Sequence, residues 1–153
     1  MITINSVFKY VEGERVRIID IIDKYVYLIN VDASTSMPKK ELFRTIEEEI
    51  KANNLISIRD PFARVIDQKD LSDIQVSKRN EDWDFIMKYW TANKYDILDK
   101  NTRNKALMDI AISSDLSLSK VKKVFSRYWQ RRLNKNALIP DYINSGGKGK
   151  EAL

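Results

Sequence analysis

The 153-residue sequence predicts an α+β fold, in which a small β-barrel-like unit with one helix precedes an all-α helix-turn-helix domain. Short alternating or β-branched segments fill the first third of the chain, whereas apolar residues recur at helical spacing in the second half. Asp60-Pro61 separates the two patterns. We therefore predict a β-rich domain at 1–60, a connector at 61–79, a helical domain at 80–135 and a basic glycine-lysine linker at 136–153.

The β-rich domain is predicted from five strand-like segments at residues 2–4, 7–11, 15–22, 25–31 and 55–58. Asp23-Lys24 is short enough to be a hairpin loop between two of them. A helix is predicted to begin near Ser36 and Pro38 and to end at Asn53-Asn54. Short strands closed by one helix are typical of a small barrel, in which the curled sheet buries its own edges.

Three helices are predicted in the second domain. The first begins near residue 80, and a loop at 92–101 separates it from the second, at about 102–112. Ser117 is a suitable N-cap for the third helix, which runs to about Arg132. Trp83, Trp90 and Trp129 lie on apolar helix faces, so we expect them to pack in the core.

The third helix is predicted to be a DNA-reading helix. Ala111 in the preceding helix, Leu116 in the turn and Val121 allow two helices to cross closely, as in a helix-turn-helix. One face of the third helix is apolar, and the opposite face gathers Ser119, Lys123, Ser126, Arg127 and Gln130.

Charge is concentrated at the same end of the chain. The net charge of +5 arises because residues 100–153 carry 12 basic and 4 acidic side chains, while the remainder is slightly acidic. Seven basic residues and no acidic residue lie between Ser117 and Lys135. A solvated helix face usually mixes both signs, so this asymmetry predicts a polyanion partner, double-stranded DNA.

The predicted contacts divide into two groups. Ser119, Lys123, Ser126 and Arg127 are expected to reach base edges. The phosphate contacts are expected from Lys120, Lys122, Arg131, Arg132 and Arg103. Arg132 projects near the apolar side, so the alternative for it is to extend across that face. The full predicted DNA-binding set is Arg103, Ser117, Ser119, Lys120, Lys122, Lys123, Ser126, Arg127, Gln130, Arg131, Lys148 and Lys150.

Enzymatic chemistry is predicted to be absent from this chain. With no cysteine and no histidine, it cannot form a Ser-His-Asp triad, a Cys-His pair or a Cys/His zinc site. The acidic groups at Asp20/Asp23, 47–49, Asp82/Asp84 and Asp96/Asp99 are expected to be structural, with Asp20 facing outward from its strand. We expect no cofactor, no small-molecule ligand, no membrane segment and a cytoplasmic location.

The stretch RYWQRRLNKNALIPDYINSGGKGK, residues 127–150, resembles the TnsB-type and Mu-like transposases of the DDE superfamily. The resemblance rests on Tyr128-Trp129, the segment 137–140 and the run 146–149. Leu133 stands where family members often carry glycine.

This resemblance implies a parent protein that binds transposon ends, nicks their 3′ ends and joins them to target DNA with a divalent metal such as Mg²⁺. The present chain is then expected to supply recognition of the terminal repeats, and a catalytic domain is expected to follow it. Other transposition proteins are implied as partners. Two alternatives remain open: a helix-turn-helix transcriptional regulator, and a protein–protein assembly module of a transposition complex.

Overall fold

The chain forms an antiparallel sheet followed by a layer of helices. The computed structural model describes residues 1–63 and 66–140. Within these ranges the strands are β1 (Val7–Tyr10), β2 (Arg15–Ile22), β3 (Tyr25–Asn30), β4 (Lys39–Leu42) and β5 (Leu55–Ser57). The helices are α1 (Phe43–Lys51), α2 (Asp73–Leu98), α3 (Arg103–Ser114) and α4 (Leu118–Gln130), with 3₁₀ turns at Gln68–Asp70 and Lys135–Leu138. The strand order is β4-β3-β2-β1-β5, which confirms the predicted α+β class.

The predicted hairpin between β2 and β3 is confirmed. Ile22 pairs with Tyr25 across the turn, and Asp23 adopts a left-handed backbone with φ of 56°. Aspartate tolerates that conformation better than most side chains, because its short polar group can hydrogen-bond locally. A bulge between Ile18 and Asp20 then shifts the register of β2.

Both faces of the central strands are buried. Val26 and Leu28 of β3 belong to the cluster that packs under α1, whereas Tyr27 and Ile29 belong to the cluster formed with α2, α3 and α4. Strands buried on both faces have nearly continuous apolar sequences, as YVYLIN does at residues 25–30. One face of the sheet therefore shares a core with α2, α3 and α4, which fixes the position of α4 relative to the sheet.

The predicted start of the first helix is wrong. Residues 39–42 form β4, which pairs with β3 through contacts such as Lys40 with Tyr27, and α1 begins only at Phe43. The hydrogen bonds that β3 offers along its free edge outweigh the local helix signal at Ser36 and Pro38.

The predicted start of the loop at 92–101 is wrong, because α2 continues to Leu98 and only residues 99–102 separate it from α3. Ile97 and Leu98 are buried in the shared core. Lys94 Nζ lies 2.6 Å from the carboxylate of Asp20 on β2. Asp20 is therefore not the outward-facing residue predicted from strand alternation: it is 5% exposed and pairs with α2. Tertiary contacts stabilise two helical turns that local sequence leaves ambiguous.

The start of α2 falls inside the predicted connector. Ser72 and Gln75 form a capping box, with the Gln75 N–H 3.1 Å from Ser72 Oγ and the Ser72 N–H 2.9 Å from Gln75 Oε1. This reciprocal pair satisfies two backbone donors at the helix end. Within the described ranges, no helix has both the length and the apolar character of a membrane span.

A buried ion pair joins the barrel to the end of α4. The fully buried guanidinium of Arg17 contacts both carboxylate oxygens of Asp60, at 2.6 and 2.9 Å, and donates to the carbonyl of Gln130 at 3.0 Å. Arg132 Nε lies 3.2 Å from the same carboxylate, so the charge of Arg132 is also paired with Asp60.

The chain leaves α4 through two non-glycine residues with left-handed backbone, Arg132 with φ of 87° and Leu133 with φ of 58°. The Leu133 N–H donates to the carbonyl of Tyr128 at 2.9 Å, and the Leu133 side chain packs against the shared core. Glycine adopts such a conformation without strain, which accounts for its suitability at this position. Here the hydrogen bond and the packing hold leucine there instead.

Candidate nucleic-acid interface

A short turn with a left-handed residue joins α3 to α4. Asp115 closes α3 with φ of 57°, and the Leu116 N–H donates to the carbonyl of Ala111 at 3.1 Å. The predicted N-cap is confirmed, because Ser117 Oγ accepts from the Lys120 N–H at 3.1 Å. Val121 is fully buried at the crossing with α3, so α4 has one fixed orientation at its N-terminal end.

The exposed side of α4 narrows from its N-terminus to its C-terminus. Ser119 and Lys123 are exposed, and Arg127 is half-buried. Ser126 and Gln130, which belong to the same polar face by helical periodicity, are 1% and 7% exposed. We call Ser119, Lys123 and Arg127 the α4 stripe, since they recur every four residues along one line of the helix. The free part of the predicted reading face is therefore its N-terminal half.

Two predicted DNA contacts are corrected by this burial. Ser126 Oγ accepts from the Ser36 N–H and donates to the Ser36 carbonyl, both at 3.0 Å. Gln130 Nε2 donates to the carbonyls of Asn30 and Ala33, at 3.0 and 2.6 Å. These side chains are used to hold the segment between β3 and β4, and neither is available to a base edge in this arrangement.

Arg103 is the third correction. Its guanidinium donates to the carbonyls of Ile97, Leu98 and Pro38, at 2.7, 3.1 and 2.7 Å. Burial accordingly lowers the pKa of Arg103. The free carbonyls at the C-terminal end of α2 attract a cation, and Arg103 binds two of them. Its hydrogen bond to Pro38 also connects this helix end to the segment before β4. It is not placed to meet a phosphate.

The lysines beside the stripe differ in their surroundings. Lys120 faces α2, and burial there lowers its pKa. The charges of Lys78 and Arg127 also lower the pKa, while the charge of Asp82 raises it by less than the others lower it. Lys122 is half-buried on the other flank. Across residues 1–63 and 66–140, no carboxylate lies within ion-pair distance of Lys122, Lys123 or Arg127. Their charges are therefore not neutralised by the described part of the protein.

The remaining predicted residues are placed as follows. Ser117 is exposed at the cap, and the half-buried guanidinium of Arg131 lies 5.4 Å from the centre of the Phe62 ring. Lys148 and Lys150 lie outside the described residues. The expectation for the tryptophans is confirmed: Trp90 and Trp129 pack edge to face with centroids 5.5 Å apart, and Trp83 packs against the same core.

Comparison with known protein families decides the relationship. The model described as the TnsB N-terminal SH3-like domain matches residues 1–61, and the model described as the TnsB second domain matches residues 79–142. The chain belongs to the TnsB family. Its relatives include the Transposon Tn7 transposition protein TnsB of Escherichia coli, which is 27% identical over 148 residues. That match covers 96% of this chain and 21% of the relative, so the chain spans about a fifth of the relative's length.

In this TnsB-family chain, the second domain carries the α4 stripe and the SH3-like domain supports it. The segment between β3 and β4 is not among the predicted site residues, because only tertiary contacts bring it to α4. The hydroxyl-bearing stretch Ser34-Thr35-Ser36 is the sequence signal for it. Among the residues that the structure describes, no group of three acidic side chains is arranged to hold a metal ion.

Proposed function

We propose that this chain binds double-stranded DNA in a sequence-specific manner, with the N-terminal half of α4 in the major groove. The observation that carries the proposal is the one-sided exposure of α4. Its C-terminal half is held by the barrel and α2, while Ser119 and Lys123 project from the free end with no carboxylate partner among the described residues. Helix-turn-helix proteins read base edges with the N-terminal residues of the second helix, and α3 with α4 has that order.

The side chains of the α4 stripe suit different parts of a DNA duplex. Lys123 presents a donor for the guanine O6 and N7 acceptors, and Ser119 pairs with several base edges. Arg127 lies one turn further from the free end, so we assign it to the phosphate backbone, together with Lys122. This division keeps sequence reading at the exposed end of the helix and places charge neutralisation behind it.

Membership of the TnsB family supports transposon ends as the DNA that is recognised. The relative is named as a transposition protein, and its match to this chain extends over both domains. We assign recognition of the ends to the SH3-like and second domains. Metal-dependent strand cleavage and joining are assigned to a separate catalytic domain of the whole protein, with other transposition proteins as partners.

Duplex binding measured by fluorescence anisotropy at several salt concentrations tests the proposal. The double variant Lys123→Ala/Arg127→Ala is expected to bind at least about tenfold more weakly and to lower the slope of log K against log salt by about 1–2. The matched control, Arg44→Ala/Lys51→Ala, removes the same charge from α1 on the other side of the sheet. It should stay within about twofold, since screening weakens distant charges at physiological salt. Equal losses in both double variants would contradict the assignment to α4.

A second candidate function is protein binding through α3. Met108 and Ile112 lie one turn apart on that helix and are 53% and 78% exposed. Exposed apolar side chains mark interaction surfaces when they are contiguous, and these two are neighbours on one helix face. If this face joins neighbouring copies on DNA, Met108→Gln/Ile112→Gln should reduce cooperativity on a duplex with several sites and leave single-site affinity unchanged.

A further inference from the structure

We propose that the segment between β3 and β4 and Arg127 of the α4 stripe together bind one DNA backbone phosphate, beside the base-reading Lys123. The SH3-like domain then contacts the same duplex as α4 and is not only a support for it. This inference rests on the proposed function, and it names a binding site that spans both domains.

The site is a cleft between the two elements. It has a volume of about 260 Å³ and is lined on one side by Asp32, Ala33 and Ser34, and on the other by Lys123 and Arg127. A phosphate group with its first water molecules fits a cleft of this size. Lys123 and Arg127 have no carboxylate within ion-pair distance in the described chain, so their charges are available to an anion.

Ser34 supplies neutral donors to the same cleft. Its side chain is exposed, and neither its N–H nor its hydroxyl has a partner within residues 1–63 and 66–140. A free backbone N–H beside a free hydroxyl is a common arrangement for contacting phosphate oxygens, and DNA-binding proteins use both groups in this way. Ser34 and Arg127 together match the single negative charge and the hydrogen-bonding capacity of a phosphodiester.

The acidic side chain in the cleft is already neutralised. Arg15 Nε lies 3.0 Å from Asp32 Oδ2, and Arg15 Nη2 lies 2.5 Å from Asp32 Oδ1. The hydrogen bonds from Arg15 hold the pKa of Asp32 below its ordinary value, so the carboxylate stays ionised and paired. The cleft therefore keeps the positive charge of Lys123 and Arg127.

Ser126 and Gln130 act as positioning residues for this site. Their four hydrogen bonds to backbone groups of Asn30, Ala33 and Ser36 fix the segment at both ends of the cleft. The side-chain oxygen of Asn30 also accepts from the N–H groups of Asp32 and Ala33, at 2.8 and 3.1 Å. A segment ordered before binding loses little entropy when a phosphate arrives, which favours affinity.

The absence of cysteine from the sequence allows a direct test with single introduced cysteines. Ser34→Cys, Ser119→Cys and Ser57→Cys each receive an azidophenacyl photocrosslinker and are irradiated with an end-labelled duplex oligonucleotide at low salt. Ser57 is the matched control, because it is exposed on β5 at the other edge of the sheet from β4. Circular dichroism spectra check that each variant is folded.

Crosslinks from positions 34 and 119, and not from 57, are the expected result. Ser34→Glu should also weaken duplex binding about tenfold, whereas Ser57→Glu should leave it within about twofold. The proposed phosphate site would be overturned, and the proposed function would stand, if position 119 crosslinks, position 34 does not, and Ser34→Glu leaves the affinity unchanged. Loss of all crosslinks, with no duplex bound by the unmodified chain, would overturn both.

Discussion

Replacement of Asp60 by asparagine is predicted to destabilise the whole molecule, because Asp60 balances a guanidinium that has no access to water. The side chain of Arg17 is 0% exposed and that of Asp60 is 15% exposed, with contacts of 2.6 and 2.9 Å between them. Removing one partner of a buried ion pair typically costs about 3–5 kcal/mol, since the other charge stays buried without compensation. For a chain of this length, such a loss lowers the melting temperature by roughly 6–20 °C.

Asparagine is nearly the size of aspartate, so the substitution removes the charge with little change in packing. Urea denaturation followed by the fluorescence of buried Trp129 and Trp90 measures the free energy of unfolding. Asp32→Asn is the matched control: it removes a carboxylate that also pairs with an arginine, but one that is 48% exposed. An exposed pair contributes about 0.2–1 kcal/mol. If Asp60→Asn costs no more than Asp32→Asn, the assigned role of the buried pair is refuted.

The same ion pair predicts a pH dependence. Burial raises the pKa of Asp60, but the hydrogen bonds from Arg17 and from the Phe62 N–H, with the charge of Arg132, outweigh it and leave the pKa below its ordinary value. Because the folded-state pKa is the lower one, the stabilisation is complete above the unfolded value of about 3.9 and is lost as pH falls through the folded-state pKa. The wild-type chain should therefore lose stability in that acidic range, and the Asp60→Asn variant should lose less.

Two further predictions concern α4 and the segment beside it. Ser126→Ala leaves the backbone N–H and carbonyl of Ser36 without partners, so the free energy of unfolding should fall by about 1–3 kcal/mol and amide exchange at Ser36 should accelerate. Unchanged exchange at Ser36 would contradict the role assigned to the Ser126 hydroxyl. Asp32→Asn removes the carboxylate from the cleft and leaves Arg15 without its ion-pair partner. Duplex affinity in low-salt anisotropy titrations should therefore rise, with a steeper salt dependence. Weaker binding would show that the paired carboxylate is needed for the cleft.

Local signals in the sequence predict those elements whose ends are set by their own residues. The hairpin at Asp23-Lys24 depends on turn chemistry, and the start of α4 depends on the Ser117 cap. The strand β4 and the last turns of α2 depend instead on partners distant in sequence, such as Tyr27 for Lys40 and Asp20 for Lys94. No local pattern contains that information.

Local sequence predicts which face of α4 is polar, but not which part of that face is exposed. Helical periodicity places Ser126 and Gln130 on the same polar face as Lys123, and it distinguishes the polar face from the apolar one. It does not distinguish a polar face that meets water from one that meets the backbone of another element. Here the C-terminal half of the face docks on the segment between β3 and β4, where polar side chains satisfy backbone groups.

The central claim is that the N-terminal half of α4 reads DNA sequence. Selection of binding sites from a pool of random duplexes tests it most directly, because the pool contains every short sequence that the helix could read. We expect the wild-type chain and Arg44→Ala/Lys51→Ala to enrich one common motif, and Lys123→Ala to lose or change that motif at one or two adjacent positions. Enrichment of no motif by the wild-type chain, or of the same motif by Lys123→Ala, would contradict it.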